Sequence, residues 1–431
     1  MVLALGVGIG AGGCAVNRPT QSTKQLVKLK ARYLEAARGD TQAANEKMIR
    51  RMRLEEDLYL AQVASGGVAT RPTFDVLILS GGGDFGAFGA GVLKAWGDVK
   101  EPGFERPEFD MVTGVSTGAL IAPFAFVGSD LSYGRILDLY THPNPNWFRS
   151  NGLFFFLPGN ESFMSSKGLR KDLEKTVDLE TIRAVAEGSQ DYRVLGINTT
   201  NLDVGAMHPF ELSLEAERAV AAAHEHDASE SKGRKKKEDD AASKRFYDIL
   251  MASAAIPAAF PPVIIDGSLY VDGGTTSNIL YGQNWRSPKA VFAQWKEKYP
   301  NDPLPKVRFW VIVNIQLGIE PQVVQPTWVS ITKASLATII RANTSTALRH
   351  LSTQVDLLRE ADGLDVEFRW MAIPSEWVPP NTRDFDAEVM RSLADLGLKM
   401  GGDVREWRTD FVERGGSGRR VELEGTVVET K

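Results

Sequence analysis

Apolar positions fall into distinct kinds of run along the chain. Residues 74–79 (FDVLIL), 193–198 and 307–315 are short, nearly continuous apolar and β-branched stretches, the pattern of strands buried on both faces of a parallel sheet. A shorter run at 110–112 leads through a sharp turn into a helix-like stretch, 119–126, where Pro123 predicts a kink or an early end. Phe385, Val389, Leu393 and Leu396 recur at helical spacing and predict a late helix. Residues 20–65 are rich in Lys, Arg, Glu, Ala and Leu and read as one or two solvated surface helices. Strands alternating with helices predict an α/β fold with a mostly parallel central sheet.

Two segments break this pattern. Residues 224–245, with the stretch SESKGRKKKEDDAASKR, are almost without apolar positions and are expected as a disordered surface insertion. Its Lys run is cancelled by Glu238, Asp239 and Asp240. The glycine-rich tail, 406–431, has no apolar periodicity and is set apart from the body. Residues 153–157 (LFFFL) are expected either in the core or along a channel for an apolar chain.

Composition narrows the classes. The chain has 431 residues, 43% of them hydrophobic, which is ample for a large core. A formal net charge of −5 gives no basic surplus for a nucleic-acid partner. The single cysteine, Cys14, excludes an internal disulfide and a cysteine metal cluster, and the five histidines form no metal-ligand pattern. No cofactor and no metal are expected.

Cys14 has a particular setting. Residues 1–13 are apolar or small, and too short for a bilayer-spanning helix, which takes about 20 residues. The run Ala11-Gly12-Gly13-Cys14 resembles a bacterial lipoprotein cleavage site, at which the cysteine becomes the lipidated first residue. No Lys or Arg precedes the run, and Ala11 stands where Leu is usual. This predicts a signal segment over 1–14 and a lipoprotein anchored in a membrane surface on the periplasmic side of a bacterial envelope. Residues 15–70 would then be a helical spacer. The alternative is a plain terminus and a cytoplasmic protein.

Three segments carry chemistry. Ser80-Gly81-Gly82-Gly83-Asp84-Phe85-Gly86 lies between a strand and a helix, where glycines let backbone N–H groups approach an anion. The pattern also satisfies the dinucleotide fingerprint, but the next strand runs into a serine turn instead of the acidic residue that holds a ribose. The second segment, Gly114-Val115-Ser116-Thr117-Gly118, is a GxSxG elbow in which Gly114 and Gly118 clear space and leave Ser116 exposed at a helix start. The third is Val271-Asp272-Gly273-Gly274, which alone reads as a turn aspartate.

Together, in this order, the three segments resemble the patatin-like phospholipase family, as does the stretch 252–262 (ASAAIPAAFPP) ahead of the aspartate. The resemblance implies a three-layer α/β/α fold over 71–405 and a Ser–Asp dyad without histidine. It assigns Ser116 as nucleophile, Asp272 as base, and Gly81, Gly82 and Gly83 as oxyanion donors. The implied activity is hydrolysis of lipid or other acyl esters. Many members have Arg or Lys where this chain has Phe85, and Asp84 makes the loop less positive still, which favours a neutral acyl ester over a phospholipid. Two alternatives stand beside this reading. One is an α/β-hydrolase triad, Ser116–Asp272–His350, with the right chain order but with His350 in a helical pattern. The other is a non-catalytic, membrane-tethered scaffold.

Overall fold

The computed structural model describes residue 18 and residues 20–151, 162–227, 232–281, 287–319, 323–360 and 363–411. Its centre is a sheet of β1 (Thr73–Leu79), β2 (Met111–Val115), β5 (Val194–Asn201), β6 (Ala206–Glu211), β7 (Val263–Ile265), β8 (Ser268–Asp272), β9 (Lys306–Gln316) and β10 (Val366–Ile373). β3 (Arg149–Ser150) and β4 (Met164–Ser165) form a separate ribbon. The order is β10-β9-β1-β2-β5-β8-β7, with β6 also paired to β5. The β10-β9-β1-β2-β5 portion is parallel throughout, and β6, β7 and β8 are antiparallel additions.

Alternation along the buried strands builds two cores. From β1, Leu77 and Leu79 face one layer, while Val76 and Ile78 face the other. The first layer contains α2 (Gly86–Trp96), α3 (Thr117–Val127), α4 (Asp130–Thr141), α5 (Lys167–Thr176), α6 (Leu179–Gln190), α7 (Leu212–Asp227), α8 (Lys232–Ser253) and α11 (Ala387–Gly401). The second contains α1 (Thr23–Ala64), α9 (Ser287–Lys298) and α10 (Trp328–Glu360). The result is the expected α/β/α fold.

Several expectations need correction. Residues 20–65 form one helix, α1, started by a Ser22–Gln25 capping box. It is not wholly solvated: Met48, Ile49 and Met52 join the second core, and buried Arg51 pairs with Asp110 at 2.7 Å. Residues 224–245 are helical in α7 up to Asp227 and in α8 from Lys232. Lys, Glu and Ala favour helix locally, and Phe246, Ile249 and Leu250 anchor the end of α8 in the core. The body does not stop at 405. Trp407 is buried against Trp96 and Trp310, and Trp370 and Arg408 form a backbone bridge. α3 continues through Pro123 to Val127 and stops at Gly128, in the left-handed region at φ 75°. Phe385 precedes α11, whose N-cap is Asp386. Residues 153–157 and Cys14 lie outside the described residues.

Pairing on β5 places the site. On one edge β6 runs alongside residues 196–201. On the other, β2 pairs as far as Val115 opposite Asn198, and β8 takes over with Asp272 opposite Thr199. The ends of β2 and β8 therefore meet head to head along one edge of β5.

Candidate active site

Ser116 is the first residue beyond β2. Its backbone is left-handed at φ 53°, ψ −122°, a conformation that costs a non-glycine residue about 1–3 kcal/mol. The flanking glycines make the turn feasible. A Cβ on Gly114 would lie 2.4 Å from Gly118 O, and one on Gly118 would lie 2.4 Å from Leu79 O. The Ser116 N–H donates to Ser253 Oγ at 2.9 Å, and that hydroxyl donates to Asn198 O at 2.6 Å. Ser116 was expected to be exposed, but it is only 5% exposed, because it opens onto a narrow cavity.

Asp272 ends β8 and is buried. Its N–H donates to Ala255 O at 2.9 Å, and its Oδ1 accepts the Gly274 N–H at 2.7 Å. Oδ2 is buried and has no hydrogen-bond partner among the described residues. Burial raises the carboxyl to about 7, against smaller opposing effects from the Ser116 hydroxyl and the Gly274 N–H. The Ser116 hydroxyl is thus near enough to favour the ionised carboxyl. Such contacts often tighten only when substrate is bound.

The glycine loop leaves β1 beside this pair. A Cβ on Gly82 would lie 1.9 Å from Asn314 O, so only glycine fits. Gly83 is left-handed at φ 62°. Gly81 does not behave as expected of an oxyanion donor. Its N–H donates to Asn278 Oδ1 at 3.1 Å, so the amide is already engaged. Asn278 Nδ2 in turn donates to Gly81 O at 3.3 Å and to Thr344 Oγ1 at 2.9 Å. Gly82 and Gly83 are left as the candidate donors.

Asp84 does not face the site as a free charge. Its Oδ2 accepts the Phe385 N–H at 3.0 Å, and burial raises its pKa to about 6. Phe85 packs edge-on against Trp377, with centroids 5.5 Å apart. Beyond Ser116 the cavity is apolar, lined by Leu120, Tyr140, Phe148, Ile256, Phe260 and Phe385, with Gly83 at its rim. Tyr140 bonds to the Thr117 hydroxyl, and burial pushes its phenol above the usual range. His350 is exposed on α10, bonded to the Tyr281 hydroxyl and near Gln354 Nε2. It has no hydrogen bond to Ser116 or Asp272 among the described residues. Nor, among those residues, does any cluster of His, Cys, Asp or Glu suit a metal ion.

Sequence reading missed Asn278, Ser253, Asn198 and the role of Phe385. Asn278 lies six residues beyond Asp272, in a stretch with no apolar period to draw notice.

The site thus sets a strained serine elbow, a buried carboxyl and a glycine loop at the ends of strands of a mostly parallel sheet. Residues 77–285 match the family model "Patatin-like phospholipase", and this part of the chain is a patatin-like phospholipase domain. Its activity class is accordingly lipid acyl hydrolysis. No curated protein matches the chain. Among solved structures, VipD from Legionella pneumophila is similar at a TM-score of 0.33 and 11% identity, with 79% of this chain and 69% of VipD covered.

Proposed function

We propose that this protein hydrolyses neutral acyl esters with Ser116 as nucleophile and Asp272 as its only base. The observation that carries this is the head-to-head meeting of β2 and β8, which sets a strained serine beside a buried carboxyl whose Oδ2 is unfilled. Ser116 Oγ attacks the ester carbonyl carbon while its proton passes to Asp272. The carbonyl oxygen becomes an oxyanion, held by the Gly82 and Gly83 N–H groups. Removing one such donor costs on the order of 3 kcal/mol in comparable sites. The C–O bond to the alcohol then breaks, and the leaving oxygen takes the proton from Asp272. Water attacks the acyl-serine with Asp272 again accepting the proton, which releases the acid and restores Ser116.

A raised carboxyl pKa supports this reading, because an aspartate at its ordinary value of about 4 is a weak base. The apolar cavity supports an acyl group as the occupant. Labelling with a fluorophosphonate tests the nucleophile: wild type should be labelled and Ser116→Ala should not. Equal labelling of both would remove Ser116 from the role, and labelling of neither would favour a scaffold.

Cys14 is proposed as a lipidated residue that tethers the enzyme to a membrane surface, on the strength of the apolar and small residues before it. Mass spectrometry of the protein from native membranes should find a diacylated Cys14 at the mature N-terminus. An intact Met1 with a free thiol would sink the idea. Among the described residues, no helix is long and apolar enough to cross a membrane.

A further inference from the structure

Phe385 combines three observations that the hydrolytic mechanism does not use. Its backbone is left-handed at φ 55°, which is costly for an aromatic residue. Its N–H donates to Asp84 Oδ2 at 3.0 Å, across 301 residues of chain, and Asp84 directly follows Gly83 of the glycine loop. Its ring lies on Phe148 with centroids 4.3 Å apart, and Phe148 stacks on Phe260 at 4.4 Å and 24°. The Phe385 ring tip stands 3.9 Å from where a Gly83 Cβ would be, so it closes over the loop that faces Ser116.

The cavity these rings line is small, about 30 Å³. Phe148, Phe260 and Phe385 narrow it, so a long acyl chain must displace or pass the Phe385 wall. The wall at Phe385 is fixed at both ends, by ring packing on one side and by the hydrogen bond to Asp84 on the other.

We propose that Phe385 is the acyl-chain-length determinant of this site, and that Asp84 is the positioning residue that fixes Phe385 to the glycine loop. The enzyme is accordingly selective for short acyl groups. This inference rests on the assignment of Ser116 as nucleophile. It goes further in naming the substrate class and the residue that sets it.

The test uses the purified full-length chain and p-nitrophenyl acetate, butyrate, octanoate and dodecanoate. Rates are expressed per site labelled by a small fluorophosphonate, so that only competent enzyme is counted. For wild type, kcat/KM should fall on the order of tenfold or more from butyrate to octanoate. In Phe385→Ala the octanoate-to-butyrate ratio should rise at least about tenfold, in the range that a reshaped apolar pocket gives. Phe385→Leu, which keeps most of the packing, should raise it less. Asp84→Ala should shift the ratio in the same direction, whereas Asp84→Asn, which keeps an acceptor oxygen, should restore the wild-type profile. That rescue separates positioning from a general loss of stability. An unchanged ratio in both Phe385 variants, with Ser116 still labelled, would overturn the proposal and leave the nucleophile intact. A wild type that prefers dodecanoate would overturn it as well. Failure of wild type to label at all would overturn the nucleophile assignment, and this inference with it.

Discussion

Gly81 and Asn278, 197 residues apart, exchange two hydrogen bonds: Gly81 N–H donates to Asn278 Oδ1 and Asn278 Nδ2 donates to Gly81 O. The loop after β8 thereby holds the loop after β1. Asp272 ends β8 just ahead of one loop and the candidate oxyanion donors lie in the other, so this amide side chain helps to set their spacing. Asn278→Ala should therefore lower kcat for a small ester on the order of 10²-fold, the cost of roughly an ångström of misplacement in a reacting group, while KM changes little. Steady-state kinetics on p-nitrophenyl butyrate would check this. A pure KM effect would mean that Asn278 serves binding alone.

The buried carboxyl of Asp272 predicts a pH profile. Only its ionised form accepts the Ser116 proton, and burial raises its pKa to about 7. kcat/KM should then climb with pH, reach half its limit near that value, and level off above it. A flat profile from about pH 5 to about pH 9 would remove Asp272 from the base role. Stability runs the other way. The folded pKa lies above the unfolded one, so the proton's contribution is fully present below about pH 4 and is lost as pH rises through about 7. Asp272→Asn should therefore raise Tm at pH values above 7, with a gain that shrinks towards pH 4.

The serine elbow and the aspartate were legible as motifs because each depends on glycine or Asp at a fixed offset from a strand end. The parallel strands were legible because burial on both faces removes polar positions. What brings Ser116 to Asp272 is register on β5, and no local pattern encodes register between strands so far apart in sequence. Gly81 shows a similar limit. A glycine triplet reveals that backbone N–H groups come close to something, but not that one of them is already bonded to Asn278. The described parts of 224–245 differ from their reading in another way, since low apolar content was read as disorder although Lys, Glu and Ala also make good helices. Phe385 fitted the helical period by chance, one position ahead of the true N-cap.

Trp407 tests whether the segment after residue 405 belongs to the folded body. It is 1% exposed, between Trp96 and Trp310. Trp407→Ala should cost about 3–5 kcal/mol, the usual range for emptying a buried aromatic site. A chain truncated after residue 405 should be destabilised at least as much. Urea unfolding with matched m-values would measure both, and a truncated chain as stable as wild type would return the segment to the status of a loose tail.

Arg51 tests whether α1 is part of the body. Its Nε donates to the buried Asp110 at 2.7 Å, and that carboxylate also accepts the Asp75 N–H at 2.7 Å. Arg51→Ala leaves a buried carboxylate without its cation, a loss of about 3–5 kcal/mol in comparable pairs. Replacing both partners, as Arg51→Met with Asp110→Asn, should recover part of it. Thermal melts of the three proteins would decide, and an unchanged melt for the single variant would make α1 a dispensable arm.

Trp96, Trp310 and Trp407 have ring centroids 4.6 to 4.8 Å apart, with tilted or edge-on planes. Indoles this close and this inclined share their electronic excitation. The chain thus carries a built-in optical signal, a paired positive and negative ellipticity near the indole absorption band. The share that Trp407 adds to the Trp96–Trp310 pair exists only while the segment around residue 407 is docked against α2 and β9. Following the difference in that couplet between wild type and Trp407→Phe during heating would time the release of this segment separately from the loss of helix.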